Sequence, residues 1–181
     1  DSTVLRQHLS EFLARVAPVA EQLGVKLTLH PDDPPRPLFG LPRIASSAED
    51  YQALFDAVPS KANGICFCTG SLGVRAENDL PAIASRFASR IGFAHLRATK
   101  REGDGLSFFE SDHLDGDVDM IAVLKALLAE NRTRPSGDPG SASARARSTG
   151  YSPSSAEAAS VAARSSRSPT STRLARAGVN R

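Results

Sequence analysis

Only two cysteines occur in the 181 residues, Cys66 and Cys68. Two thiols this close cannot staple a domain, so a disulfide framework is excluded and a reduced cytoplasm is the expected compartment. No apolar run approaches the roughly 18 residues of a membrane span, so no membrane partner is expected. The N-terminus, Asp1-Ser2-Thr3-Val4-Leu5-Arg6, lacks the basic patch and apolar stretch of a secretory signal. It also lacks an initiator Met and enters a helical pattern almost at once, as a piece of a longer protein would. No repeat of 20–50 residues is present, Gly70-Ser71-Leu72-Gly73 lacks the Lys and spacing of a phosphate loop, and no Ser-His-Asp arrangement stands out. What remains is 40% hydrophobic and 23% charged, enough apolar material for one modest core.

The near-neutral total charge is a sum of two unlike segments. Residues 132–181 hold nine Arg, no Lys and two acids, Asp138 and Glu157, a formal +7, which leaves 13 basic and 18 acidic residues and a formal −5 in residues 1–131. That C-terminal stretch contains twelve Ser and ten Ala and no Ile, Phe, Met or Trp. Burial there cannot offset the roughly 1–2 kcal/mol per residue that ordering a backbone costs. Two units are therefore expected: a folded domain over residues 1–131 and a disordered, low-complexity Ser/Ala/Arg tail over 132–181. The abrupt turn to Ser, Ala and Arg without Lys also matches GC-rich DNA translated out of frame, which comparison of the coding DNA in its other frames tests.

Residues 1–131 read as alternating helices and strands. Leu5, Leu9, Phe12, Leu13, Val16, Val19, Ala20 and Leu23 form a helical stripe, with Pro18 expected to kink or divide the helix and Gly24 to end it. Val25–Leu29 reads as a strand ending at His30, and the Pro-rich residues 31–43 as a loop. Ser46-Ser47-Ala48-Glu49 resembles a capping box for a helix to about Val58. Gly64–Cys68 is the second strand. Asp79 and Pro81 open a helix to about Ser89. Ile91–Leu96 is the third strand, and a short extended piece is expected over Leu106–Glu110. Asp117 is expected to start a last helix, with Val118, Ile121, Val123, Leu124, Leu127 and Leu128 on its buried side. Strands separated by helices run parallel through right-handed crossovers. A doubly wound sheet and part of a (β/α)₈ barrel both fit, since a full barrel needs about 200–250 residues.

Three metal-binding side chains fall at equivalent places. His30, Cys68 and His95 each lie at or near the C-terminal end of a strand, the face on which α/β proteins build their sites. Strands about 4.8 Å apart could bring imidazole, thiolate and imidazole onto one Zn²⁺, Fe²⁺ or Mn²⁺, with a carboxylate expected as a fourth ligand. The plainer alternative is that each His is a hydrogen-bonded structural residue and the Cys inert packing. Cys66 faces the same side as Cys68, one step deeper, and their Cys-x-Cys spacing is not a zinc-ribbon signal. His8 sits on the first helix, at the surface or in the core. His113 lies in a loop among Asp112, Asp115, Asp117 and Asp119, which serve either as caps and solvated charge or as site groups.

Leu29-His30-Pro31-Asp32-Asp33-Pro34-Pro35, the following Arg36–Arg43, Phe67-Cys68-Thr69-Gly70-Ser71-Leu72-Gly73, His95-Leu96-Arg97 and Asp112–Met120 together resemble the mannonate dehydratase family, in order, over about residues 1–131. The resemblance implies a partial TIM barrel. It implies metal-dependent dehydration of D-mannonate to 2-keto-3-deoxy-D-gluconate in hexuronate (glucuronate) catabolism, with Mn²⁺ or Fe²⁺ held by His30, Cys68 and His95. Arg97 and Lys100 become candidates for holding substrate oxygens, and His113 a candidate catalytic group; solvated loop charge is the alternative for the two cations. The family's Arg-Pro-Asp-His-Gly-His motif is expected after the last helix, where this chain reads Arg134-Pro135-Ser136-Gly137-Asp138-Pro139-Gly140. Thr149-Gly150-Tyr151 matches only part of a later family motif. With that motif and half a barrel missing, the chain alone is expected to be inactive or weakly active. Two other classes remain: another metal-dependent sugar isomerase or epimerase on the same barrel, and a non-catalytic chain gripping nucleic acid through its basic tail. A nucleic-acid partner is disfavoured, because the tail lacks Lys and interleaved aromatics and the body is acidic. A homo-oligomer stays open, and exposed sheet edges would favour aggregation.

Overall fold

Asn63-Gly64-Ile65-Cys66-Phe67-Cys68 is a continuous run of buried positions, and it forms the middle strand of a three-stranded parallel sheet in the computed structural model. The structure describes residues 1–133. The last helix, Met120–Thr133, takes in residues 132 and 133, the first two of the expected tail; the rest of that tail, with Arg134–Gly140 and Tyr151, lies outside the described residues.

The elements follow as α1 (Ser2–Gln22), β1 (Leu27–Leu29), α2 (Ala48–Ala57), β2 (Asn63–Cys68), α3 (Thr69–Gly73), α4 (Leu80–Arg86), a 3₁₀ turn (Ala88–Arg90), β3 (Ile91–His95), β4 (Thr99–Arg101), β5 (Phe108–Glu110) and α5 (Met120–Thr133). Sheet order is β1-β2-β3, both ladders parallel, with Leu29 opposite Ile65 and Cys68 opposite His95. The expected parallel α/β arrangement is therefore present. β4 and β5 pair antiparallel, Lys100 opposite Phe109, as a separate two-stranded hairpin. Asp104 closes it by accepting hydrogen bonds from the amides of Leu106 (2.8 Å) and Ser107 (2.7 Å).

Several boundaries differ from expectation. Of the kink or division expected at Pro18, the division is absent, since α1 is one helix from Ser2 to Gln22. Pro18 forfeits its amide hydrogen bond and crowds the carbonyl four residues before it, while Leu13, Ala17 and Ala20 stay buried on either side. The capping box lies one residue later than expected. Ser47 accepts from the Asp50 amide, and Asp50 accepts from the Ser47 amide in return. Asp50 prevails over Glu49 because it also pairs with Arg6 at 2.8 Å. α5 begins at Met120 rather than Asp117. Asp119 caps the Ala122 amide at 2.8 Å, while Asp117 is drawn away to the Arg101 amide at 2.6 Å. Val123 is fully buried and Leu127 packs on the core, whereas Ile121, Leu124 and Leu128 are exposed, as are Phe12 and Val19 of α1.

The main core gathers α2, β2, α3, α4 and α5 through Tyr51, Phe55, Ile65, Phe67, Leu72, Ile83 and Val123. A second cluster of Leu13, Ala17 and Val58 fastens α1 to the end of α2. Asn63, also buried, donates to the carbonyls of Leu54 (3.2 Å) and Val58 (2.9 Å), so the end of α2 is tied to the start of β2. Beside it, Gly64 is in contact with the backbone of Arg90. A β-carbon at Gly64 would sit 2.6 Å from the Arg90 carbonyl oxygen and 3.1 Å from the Lys26 stem. Gly64→Ala must push two strands apart and is expected to cost about 1–3 kcal/mol. A urea unfolding midpoint equal to that of the unaltered chain would refute this reading of the ladder.

Candidate metal centre

The parallel ladders carry the C-terminal ends of β1, β2 and β3 to one edge. His30 follows β1, Cys68 ends β2 and His95 ends β3. Their donor atoms all lie within 4.8 Å of one another, and among the described residues they are the group of three or more metal-binding side chains that comes together. Donors bound at about 2.0–2.3 Å in a tetrahedral site stand about 3.3–3.8 Å apart. A spread of up to 4.8 Å thus closes on a shared cation with side-chain movements of about 1 Å. Two imidazoles and a sulfur are a donor set suited to a divalent first-row metal.

Each donor is held by its neighbours. His30 Nδ1 lies 2.7 Å from the Pro31 carbonyl oxygen. That oxygen only accepts, so Nδ1 carries the proton and Nε2 the lone pair. The following turn is fixed by Asp32, whose Oδ2 accepts from the amides of Ile44 (2.8 Å) and Ala45 (2.7 Å) and from the Ser46 hydroxyl (3.1 Å). Tyr51 donates to the Leu29 carbonyl at 3.2 Å, and burial with nearby Asp32 raises its phenol far above the usual range. It therefore stays a neutral donor.

Cys68 is fully buried, and it caps α3 with its sulfur. Ser71 approaches that sulfur twice, with its amide at 3.5 Å and its hydroxyl at 3.3 Å. Cys66 differs in kind. Burial, and then the charge of Cys68, push its thiol up to about 11, so it remains protonated at neutral pH. His95 is exposed at its rim while its ring backs onto the site. Burial lowers its pKa, and the neighbouring His30 and Arg97 add to the shift, so the neutral ring with an open lone pair is favoured.

Thr69 sets the spacing between the ends of β2 and β3. Its hydroxyl accepts from the Arg97 amide at 2.9 Å and donates to the Arg97 carbonyl at 2.6 Å. Thr99 donates to the Gly70 carbonyl at 3.1 Å. Gly70 has no side chain because the Arg97 stem crosses it; a β-carbon would lie 2.8 Å from Nε.

The other candidates stand around this group rather than in it. Arg97 pairs through Nη1 with Asp33 at 2.6 Å and through Nε with Glu110 at 2.6 Å. The short Nε contact is an ion pair without hydrogen-bond alignment. Lys100, on β4, reaches Asp115 at 3.2 Å. His113 is exposed and donates from Nε2 to the carbonyl of Leu96, the residue after His95, at 2.9 Å. His8 lies on α1 and Asp112 in a loop, outside the cluster. Asp33, Ser71 and Glu110 join the site although almost nothing in their local sequence marks them as site groups. A Ser three residues after a strand-end Cys is the spacing of an N-cap pair and is the one signal for Ser71.

A profile described as D-mannonate dehydratase (UxuA) matches residues 1–152. The chain is 69% identical over 137 residues to a mannonate dehydratase of Brucella canis, covering 76% of this chain and 34% of that one. It is 60% identical over 134 residues to a mannonate dehydratase of Chromohalobacter salexigens, covering 74% of this chain and 34% of the relative. The crystal structure of mannonate dehydratase from Streptococcus suis serotype 2 superposes with a TM-score of 0.67 at 36% identity, covering 72% of this chain and 38% of that one. The chain thus spans about a third of the length of these relatives. No helix among the described residues is long and apolar enough to cross a membrane.

Proposed function

The chain belongs to the mannonate dehydratase family, and on that premise we propose that it forms the metal-binding part of a hydro-lyase that converts D-mannonate to 2-keto-3-deoxy-D-gluconate in hexuronate breakdown. One observation carries the reading: two imidazoles and a buried sulfur from the ends of three adjacent parallel strands lie within 4.8 Å of one another. On this reading β1, β2 and β3 are successive staves of a (β/α)₈ barrel whose active face is the edge bearing those donors. Two unpaired thiols fit a reducing cytoplasm.

His30, Cys68 and His95 hold Mn²⁺ or Fe²⁺ in this proposal. The ion, when bound, supplies Lewis-acid polarisation of a sugar-acid carboxylate, which eases loss of the proton beside it. Arg97 orients the substrate. Asp33 and Glu110 anchor part of its guanidinium fork, and the remaining N–H groups serve carboxylate and hydroxyl oxygens of the sugar acid. Lys100 adds positive charge on the strand following Arg97. His113 is the candidate for moving a proton. Its Nε2–H is committed to the Leu96 carbonyl, so Nδ1 is the atom that would take or return it.

Elemental analysis tests the metal reading. The chain, loaded with Mn²⁺ or Fe²⁺ and dialysed, is expected to keep a single ion per molecule; retention of none overturns the reading. With D-mannonate, the chain on its own is expected to release 2-keto-3-deoxy-D-gluconate far more slowly than a typical enzyme. A ketose product would move the chain to a sugar isomerase instead.

A further inference from the structure

The Cys68 sulfur is already engaged on one side before any ion is considered. Ser71 places an amide at 3.5 Å and a hydroxyl at 3.3 Å from it, and both residues are fully buried. A serine hydroxyl has one proton to give. Here two acceptors compete for it: Cys68 Sγ, and Asp33 Oδ2 at 3.1 Å. That Asp33 oxygen is itself held by Arg97 Nη1 at 2.6 Å, while the same guanidinium nitrogen lies 3.5 Å from the Ser71 oxygen. The chain of contacts runs unbroken from the surface ion pair to the buried sulfur.

We propose that Ser71 is a positioning residue for the Cys68 thiolate: its amide and hydroxyl aim the sulfur and withdraw charge from it, and the Asp33–Arg97 pair sets how far the hydroxyl proton turns toward sulfur. The inference rests on the metal reading of His30, Cys68 and His95. Hydrogen bonds to a ligand atom orient it and tune its donor strength, and their removal typically costs about 10–100-fold in metal affinity. Two such bonds to a thiolate sulfur leave it a further lone pair for a cation shared with the imidazoles. Burial magnifies the effect, because no water replaces a lost donor. Asp33 draws on the same proton. When its carboxylate is strong, the sulfur keeps more charge; when it is weakened, the hydroxyl turns to sulfur.

The test uses the full 181-residue chain and Co²⁺ alone, because sulfur-to-cobalt charge transfer gives an absorption band that reports on the thiolate directly. Ser71→Ala is expected to bind Co²⁺ about 10–100-fold more weakly. Its charge-transfer band is expected at lower energy than in the unaltered chain, since a thiolate with fewer hydrogen bonds gives up an electron more easily. Asp33→Asn is expected to shift the band to higher energy. A role in folding alone would not produce shifts of opposite sign, and melting of the metal-free variants by circular dichroism checks that they fold. A band at the unaltered position in Ser71→Ala, or shifts of the same sign in both variants, overturns the role of Ser71 while leaving the metal site standing. Should Ser71→Ala not fold, Asp33→Asn decides alone: a higher-energy band supports the proposal and an unmoved one overturns it. No band in the unaltered chain removes the metal site and this role with it.

Discussion

Cys68→Ala is expected to weaken metal binding by more than about 100-fold, beyond the range typical for loss of a residue that only supports a ligand. The sulfur is the buried member of the donor group, between two imidazoles that are exposed. Without it, two surface histidines remain, and neither is held close to the other by a direct bond. The loss should appear in two measurements. Elemental analysis after dialysis should find no retained ion. In melting experiments, an ion at 100 times its Kd stabilises the unaltered chain by about 2.7 kcal/mol, and that rise should vanish in the variant. The metal-free variant should itself lose about 1–3 kcal/mol, because the sulfur leaves a small cavity and the buried Ser71 amide without its cap, so the rise on adding the ion, rather than the starting melting point, is the readout. Cys66→Ala is the matched control: its thiol, held protonated up to about 11, should be dispensable for binding. A Cys68→Ala chain that keeps its ion would end the assignment.

Phe67→Ala carries the largest expected loss of stability. Phe67 is fully buried on the middle strand, one residue before the sulfur, and packs in the main core with Ile65, Tyr51 and Leu72. Truncating a buried Phe costs about 3–5 kcal/mol, partly from lost transfer energy and partly from the void left behind. Domains are stable by only about 5–15 kcal/mol, so the variant should lose roughly a third or more of its stability if that total is about 10 kcal/mol. Phe39 gives the contrast. It is 93% exposed at the tip of the turn between Leu38 and Leu41, with a positive φ of 52°. Its replacement by Ala should move stability by no more than about 0.5 kcal/mol. Urea midpoints measure both, and equal shifts in the two variants would show that β2 is not the centre of the core.

Much of this arrangement could be read in advance because burial leaves a plain mark on sequence. The run Gly64–Cys68 is apolar throughout, as a strand covered on both faces must be, and the helices flanking it have periodic apolar positions. The strand-end placement of His30, Cys68 and His95 followed from those boundaries. β4 left no such mark. Thr99-Lys100-Arg101 has no alternation, and it is extended only because Phe108–Glu110 pairs with it. α3 is five residues long, too short for a period to register. The cap assignments slipped where several acceptors stood in a row. Ser46 and Ser47, Glu49 and Asp50, and the spaced acids from Asp112 to Asp119 offer near-equal local choices, and distant groups such as Arg6 and Arg101 decide among them. The same holds at the site. Nothing local to Asp33 or Glu110 says that Arg97 will bring them together.

The parallel order of the sheet has a consequence for how the site comes into being. No two of the three donors lie on segments that a tight hairpin could join, because each ladder links stretches of chain with a helix between them. Closing such distant segments is slow, and the entropy of each closure is lost before the contacts form. An ion meeting the nascent chain therefore finds isolated side chains and gains little from any one of them. Capture of the cation becomes a late event that reports the finished topology, and its arrival time during refolding should track the slowest phase rather than the first collapse.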